Sequence, residues 1–180
     1  MSTLKVNNIT DLGDEYPGSL AYPGQILQVV STITTEPFTT TSTSYVDITD
    51  LSVSITPTSA SSKVLVLISV EGASTTATAS STAAVQLVRD STPIGIGTNV
   101  GNRTAATGLI TTRNTGADAI TMAFTKSILD EPATTSTVTY KAQAMTHAGT
   151  AYVNRTQNDA DTTAGYIRPV STITLMEVAG

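Results

Sequence analysis

The sequence predicts an all-β fold: an antiparallel two-sheet sandwich, jelly-roll-like, preceded by an extended N-terminal arm. Three observations carry this. From Gln25 onward the chain is a succession of strand-length runs rich in Val, Ile, Leu and Thr; Pro, Gly, Ser and Asp punctuate them; and several of the runs alternate apolar and hydroxylated residues with a period of two. No helical repeat, heptad or 20–50-residue period competes with that pattern.

The first element is residues 1–24. Asn7-Asn8, Gly13, Pro17-Gly18 and Pro23-Gly24 forbid a long helix or a regular strand there, because Pro lacks a donor and Gly favours turns. Apolar residues are spread thinly between them. Leu4, Val6, Ile9, Leu12, Tyr16 and Tyr22 therefore read as pegs that dock on a partner, and the arm as an attachment segment ahead of a sandwich domain at 25–180.

Nine strands are expected within that domain: Ile26 to Val30, Tyr45 to Ile48, Leu51 to Ile55, Val64 to Val70, Ala84 to Arg89, Ile94 to Ile96, Ala119 to Thr125, Val138 to Ala144 and Ile173 to Val178. Leu51-Ser52-Val53-Ser54-Ile55 and Thr172-Ile173-Thr174-Leu175 alternate cleanly, placing one face on a core and one toward water. Val64-Leu65-Val66-Leu67-Ile68 is apolar on both faces and reads as a central strand. Thr, about a fifth of the chain, suits strands because its branched β-carbon is stiff in the extended region.

The separators have identifiable roles. Thr56 to Lys63 joins two strong strands as a hairpin or a sheet crossing, and Asp90-Ser91-Thr92-Pro93 marks a hairpin with a short, glycine-broken second strand at a sheet edge. Two longer weak regions, 97–116 and 148–165, are the candidate functional loops, since a sandwich displays its long connections at its ends.

Composition bounds the function. The chain has 180 residues, 39% hydrophobic but only 4% aromatic, and 13% charged, about half the usual quarter. A net charge of −5 with nine Lys and Arg leaves no basic patch, which argues against nucleic acid as a partner. With no cysteine there are no disulfides, thiolate metal sites or Cys nucleophiles. The longest apolar stretch falls far short of the roughly 20 residues that span a bilayer, and the N-terminus lacks the apolar region of a secretory signal. No membrane and no cofactor are expected. So modest a core would gain from burying further Val, Ile and Ala surface between subunits, so a homo-oligomer is expected.

Few residues offer chemistry. His147 is the lone histidine, at a strand end and without a nucleophile elbow, so catalysis and zinc are both disfavoured and the chain reads as a non-enzyme. Asn158-Asp159-Ala160-Asp161 and Asp11 to Glu15 carry oxygen ligands but no EF-hand pattern, and read as solvated acidic turns. The glycines of Gly95 to Gly101 have the wrong spacing for a phosphate loop. Asn8, Asn102 and Asn154 head glycosylation-type triplets that chance explains in a Thr-rich chain. Tyr152, Arg155 and Tyr166, with Arg168 beside them, lie in or next to the second loop, where they would meet a glycan or a protein partner.

Three stretches, in order, carry a resemblance: Gln25 to Val30 followed by Thr41-Ser42-Thr43-Ser44-Tyr45-Val46-Asp47; Leu51 to Pro57 running into Ser61-Ser62-Lys63-Val64-Leu65-Val66; and Ser171 to Glu177. Leu87 to Ser91, Leu129 to Pro132 and Val138 to Lys141 fit the same pattern. Together they resemble a β-sandwich domain of tailed-bacteriophage virion proteins, and Ser2 to Asn7 is similar to the start of many phage fibre and structural proteins. The resemblance implies a structural protein on the virion exterior, commonly trimeric, made in the host cytoplasm. Only about 24 residues precede the domain here, which favours a capsid decoration or cement protein held to the major capsid protein by residues 1–24. A fibre or receptor-binding tip that recognises a host glycan or surface protein is the alternative.

Overall fold

In a computed structural model the described residues are 22–74, 82–111, 121–162 and 164–180. They form eleven strands: β1 (Ile26–Thr34), β2 (Phe38–Thr40), β3 (Val46–Ile55), β4 (Lys63–Ser74), β5 (Ala83–Arg89), β6 (Thr92–Ile94), β7 (Gly108–Leu109), β8 (Met122–Asp130), β9 (Val138–Thr146), β10 (Ala151–Val153) and β11 (Ser171–Val178). All pairings are antiparallel. The first sheet runs β1-β11-β4-β8, with β10 and β2 continuing beside the far end of β4; the second runs β3-β9-β5-β6, with β7 also on β5. Taking the long strands in chain order, the path alternates between sheets in the way a jelly roll does. The expected antiparallel two-sheet sandwich is therefore the observed one, and residues 1–21 of the arm expected before it lie outside the described residues.

The core lies between the sheets, and the period of two decides what enters it. In β11, Ser171, Ile173, Leu175 and Glu177 point inward and are buried, while Thr172, Thr174 and Met176 are half-buried on the outside. In β9 the inward set is Val138, Tyr140, Ala142 and Ala144. Val64, Val66, Ile68 and Val70 of β4 meet them across the sandwich. With no Trp and two Phe in the chain, this core is closed by aliphatic side chains, Phe124 and one fully buried tyrosine, Tyr140. Its hydroxyl and the Nη1 of Arg89 both donate to Asp130 Oδ2 at 2.7 Å, which ties β9 and β5 of one sheet to β8 of the other.

Several expectations are corrected. The two strands expected at Tyr45 to Ile48 and Leu51 to Ile55 are one strand, β3, whose register slips between Asp47 and Ser52, where Asp50 takes a φ of 58°. The strand expected at Ala119 to Thr125 is β8, Met122–Asp130, and residues 119 and 120 lie outside the described residues. The short hairpin strand is Thr92–Ile94 rather than Ile94 to Ile96; its two-residue turn, Asp90-Ser91, has Asp90 at a φ of 53°. The Thr56 to Lys63 link is a crossing between sheets, because β3 and β4 lie in different ones. Strands β2, β7 and β10 were not foreseen, being only two or three residues long.

The crossing is secured by a buried charge. Glu177, fully buried at the end of β11, accepts hydrogen bonds from Gln28 Nε2 (2.6 Å), the Thr58 backbone N–H (2.6 Å) and the Thr58 hydroxyl (2.7 Å). Burial pushes its pKa up, but these donors and Ser62 outweigh it and hold the carboxyl below the ordinary glutamate value. One side chain thus joins β1, β11 and the inter-sheet link.

Candidate functional site

The two loops singled out from the sequence have different roles. Described as far as residue 111, the first folds back along β5 and covers its edge. Thr107 N–H donates to Val85 O, Ile110 N–H donates to Ala83 O, and the Thr107 hydroxyl accepts from Leu87 N–H. Ile110 is fully buried in the core. This segment closes the sandwich, and residues 112–116 lie outside the described residues.

The second loop builds a polar cluster. Its root is Asn154, directly after β10, fully buried and held at a φ of 58°, a conformation Asn tolerates better than most residues. Asn154 Nδ2 donates to Thr34 O (3.0 Å) and Glu36 O (3.1 Å), its Oδ1 accepts from Ser171 Oγ (2.6 Å), and its backbone N–H donates to Glu71 O. The amide nitrogen that a glycosylation triplet would offer is thus enclosed and engaged. Thr156, buried beside it, donates to Asn158 O.

On that root stand the predicted residues. Tyr152 belongs to β10 rather than to a loop, and its ring carries the Arg155 guanidinium 4.8 Å from its centroid. Arg155 also donates to Thr156 O and Gln157 O, so its side chain is clamped over its own turn. Asp159 lies 3.9 Å from Arg155 and takes a two-pronged hydrogen bond from Arg168, 2.9 and 2.6 Å. The Arg168 guanidinium, then burial acting the other way, then the charges of Arg155 and Arg168 set the Asp159 pKa, and the net shift is downward. Asn158 Nδ2 donates to the Tyr166 hydroxyl at 3.0 Å. Tyr152, Arg155 and Tyr166 are therefore brought together, with Asp159 as the hub between the two arginines.

Two open grooves meet at Asp159. One, of about 300 Å³, is lined by Tyr152, Arg155, Gln157, Asn158 and Asp159; the other, of about 470 Å³, by Asp159, Ala160, Asp161, Tyr166 and Arg168. Tyrosine rings, side-chain amides and a guanidinium at partly exposed positions suit a polyhydroxylated or amide-bearing ligand. The acidic turn at 158–161 is held rather than free: both Asp159 oxygens are committed to arginine. Among the described residues no three His, Asp or Glu side chains gather to hold a metal ion. Arg168 and Asp159 complete a site that sequence spacing could not close, because their pairing depends on how 160–167 fold back.

Of the remaining partner-binding residues, Tyr22 is exposed in a turn closed by its own carbonyl and Gln25 N–H. Leu4, Val6, Ile9, Leu12 and Tyr16 lie outside the described residues. Backbone bonds from Gly24 N–H to Ala179 O and from Ala179 N–H to Gln25 O join the chain to the sandwich from residue 24 onward. His147 is exposed after β9, its backbone N–H bound to Thr82 O.

Fold and site together define an all-β jelly-roll sandwich with a rigidly rooted polar loop cluster at one margin. Comparison with models of known protein families and with curated proteins returned no match.

Proposed function

We propose that the protein is a structural, non-enzymatic component of a tailed-bacteriophage virion, a homotrimeric decoration or cement protein on the capsid exterior. Residues 1–21 attach it to the major capsid protein. The motif order described above supports this reading, and the observation that carries it is where the chain enters the sandwich. Gly24 and Gln25 are stitched to Ala179 at the rim of the first sheet, so a segment of 21 residues reaches up to roughly 70 Å from a fixed point if extended. Such a tether bridges neighbouring capsid subunits, and each bridge adds buried area that opposes opening of the shell.

Deleting residues 1–21, which leaves the Gly24 bond in place, tests it. The expected product is a folded oligomer that no longer binds particles lacking the protein; retained binding overturns the attachment role. Labelling with antibody should cover the head lattice.

A second reading, a receptor-binding tip, is favoured by the Tyr152–Arg155–Asp159–Tyr166–Arg168 cluster. It predicts binding to host-surface glycans that Arg168→Ala and Tyr166→Ala abolish, with label at fibre ends.

A further inference from the structure

We infer that the outer face of the first sheet is the surface through which copies of this chain meet. The registers place Val29, Met176, Leu65 and Leu129 side by side in one row across β1, β11, β4 and β8. The adjacent row is Ser31, Thr174, Leu67 and Ser127. Val29, at 55%, and Leu129, at 52%, are exposed at the two ends of the apolar row, and Ile33 is exposed one row beyond Ser31. A shallow concavity of about 550 Å³ lies over Leu67, Ser69, Thr125 and Thr172. No charged side chain stands in either row.

The second sheet's outer face is of the opposite character. There Asp47 pairs with Lys141 at 2.8 Å and accepts from Gln143, which in turn accepts from Gln86. Both faces belong to one sandwich and one composition, yet the second carries an ion pair at its middle and the first an apolar row. An apolar row over four strands, half-buried at Met176 and Leu65 and exposed at both ends, is the mark of a contact surface.

The occupant is a second copy of this chain. At net −5 each copy repels another, and the two uncharged rows, flanked on the same face by the Lys63–Glu131 ion pair and by Glu71, are the part of it on which two copies approach with the fewest opposing like charges. Two of its hydroxyls are already partnered: Ser31 Oγ lies 2.8 Å from Thr174 Oγ1 and 3.2 Å from Ile173 O, so covering this pair strands neither donor. Four strands at about 4.8 Å spacing and about eight residues at about 3.4 Å give a face of about 500 Å². Two such faces approach the roughly 1,000 Å² that a specific interface requires. The inference rests on the homo-oligomer reading above and names a face for it, with one difference: like faces pressed together close at two copies, where the resemblance implies three. Its test reads self-association alone, so it can fail while attachment to a particle stands, and the reverse.

The test uses the full chain, with mass measured by light scattering and analytical sedimentation from about 1 to 100 µM. Leu67→Glu and Val29→Glu put a charge on the face at exposed positions, and Ser54→Glu puts one on the outside of the second sheet. Wild type and Ser54→Glu are expected to be oligomeric, and the two face variants to dissociate with at least about a tenfold weaker constant while keeping the wild-type circular dichroism. A monomeric wild type at 100 µM overturns the inference. So does an oligomer indifferent to both face variants; if deleting residues 1–21 then newly exposes Leu67→Cys to thiol labelling, the occupant is the N-terminal segment instead.

Discussion

Glu177→Gln isolates the buried charge that joins the two sheets. The carboxylate takes three short bonds, two from Thr58 and one from Gln28. Glutamine keeps the size and one acceptor oxygen. Its amide nitrogen must face either the Thr58 donors, donor against donor, or Gln28. In the second case Gln28 can turn its own oxygen inward, but its Nε2 then leaves Thr56 O, to which it also donates at 2.8 Å. Each charge-assisted bond is stronger than a neutral one by about 1 kcal/mol, so three sum to about 3 kcal/mol. Relief from burying a charge returns part of that, leaving a net loss of about 2 kcal/mol. For a domain of this size the loss lowers Tm by about 4–8 °C at neutral pH. The assay is thermal unfolding followed by circular dichroism between pH 7 and pH 3. Because the folded-state pKa is depressed, the stabilisation is fully present above the unfolded value near 4.5 and is lost as pH falls through the folded one. Wild type should lose its advantage over the variant across that acid window, the two curves converging. Equal Tm values at pH 7, or curves that stay parallel down to pH 3, would refute the role given to this carboxylate.

Two further predictions concern local architecture. Asn154→Ala strands the Thr34 and Glu36 carbonyls and the Ser171 hydroxyl and puts a Cβ-only residue at positive φ. The expected loss is about 3 kcal/mol, with faster amide exchange across 155–168, and unchanged exchange there would show that the loop is rooted elsewhere. Gly95→Ala places a methyl 2.3 Å from Ile128 Cδ1 at a φ of 59°, at a cost of about 2–4 kcal/mol, whereas at Gly97 the same change meets nothing within 4 Å. Chemical denaturation of the pair should separate them, and equal midpoints would contradict the packing described at Gly95.

Where alternation is strong the sequence was sufficient. β11 was placed within two residues and the start of β4 within one, because Ile173, Leu175 and the valines of β4 repeat every second position, though β4 runs four residues past the expected Val70. β3 was split in two because Thr49-Asp50 interrupts the pattern, and only the partner strand β9 keeps the chain extended across the slip. β10 offers three residues, too few for any period, and exists because β4 and β2 flank it. Two polar residues lay beyond the reach of local pattern. Glu177 sits at an inward position of an alternating strand, a conflict visible in the sequence, but its donors come from positions 28 and 58. Asn154 heads a triplet that chance explains, and its part in the fold rests on distant residues 34, 36 and 171. Tyr152, Arg155 and Tyr166 were legible as a group because they are near in sequence. The apolar row on the first sheet was not, since its four members are drawn from four strands spread between residues 29 and 176.

The pairing of β1 with β11 joins Ile26 to Val178 and Thr34 to Ser171. A ribosome therefore has to deliver nearly all of these residues before the first sheet can acquire its inner pair of strands, and until then β4 is a nascent segment with apolar side chains on both sides. Closing so large a loop is slow, which places this chain among the high-contact-order folders that reach the native state in milliseconds to seconds rather than microseconds. During synthesis its greatest hazard is not premature structure but premature company, as exposed β4 segments on neighbouring ribosomes find each other first.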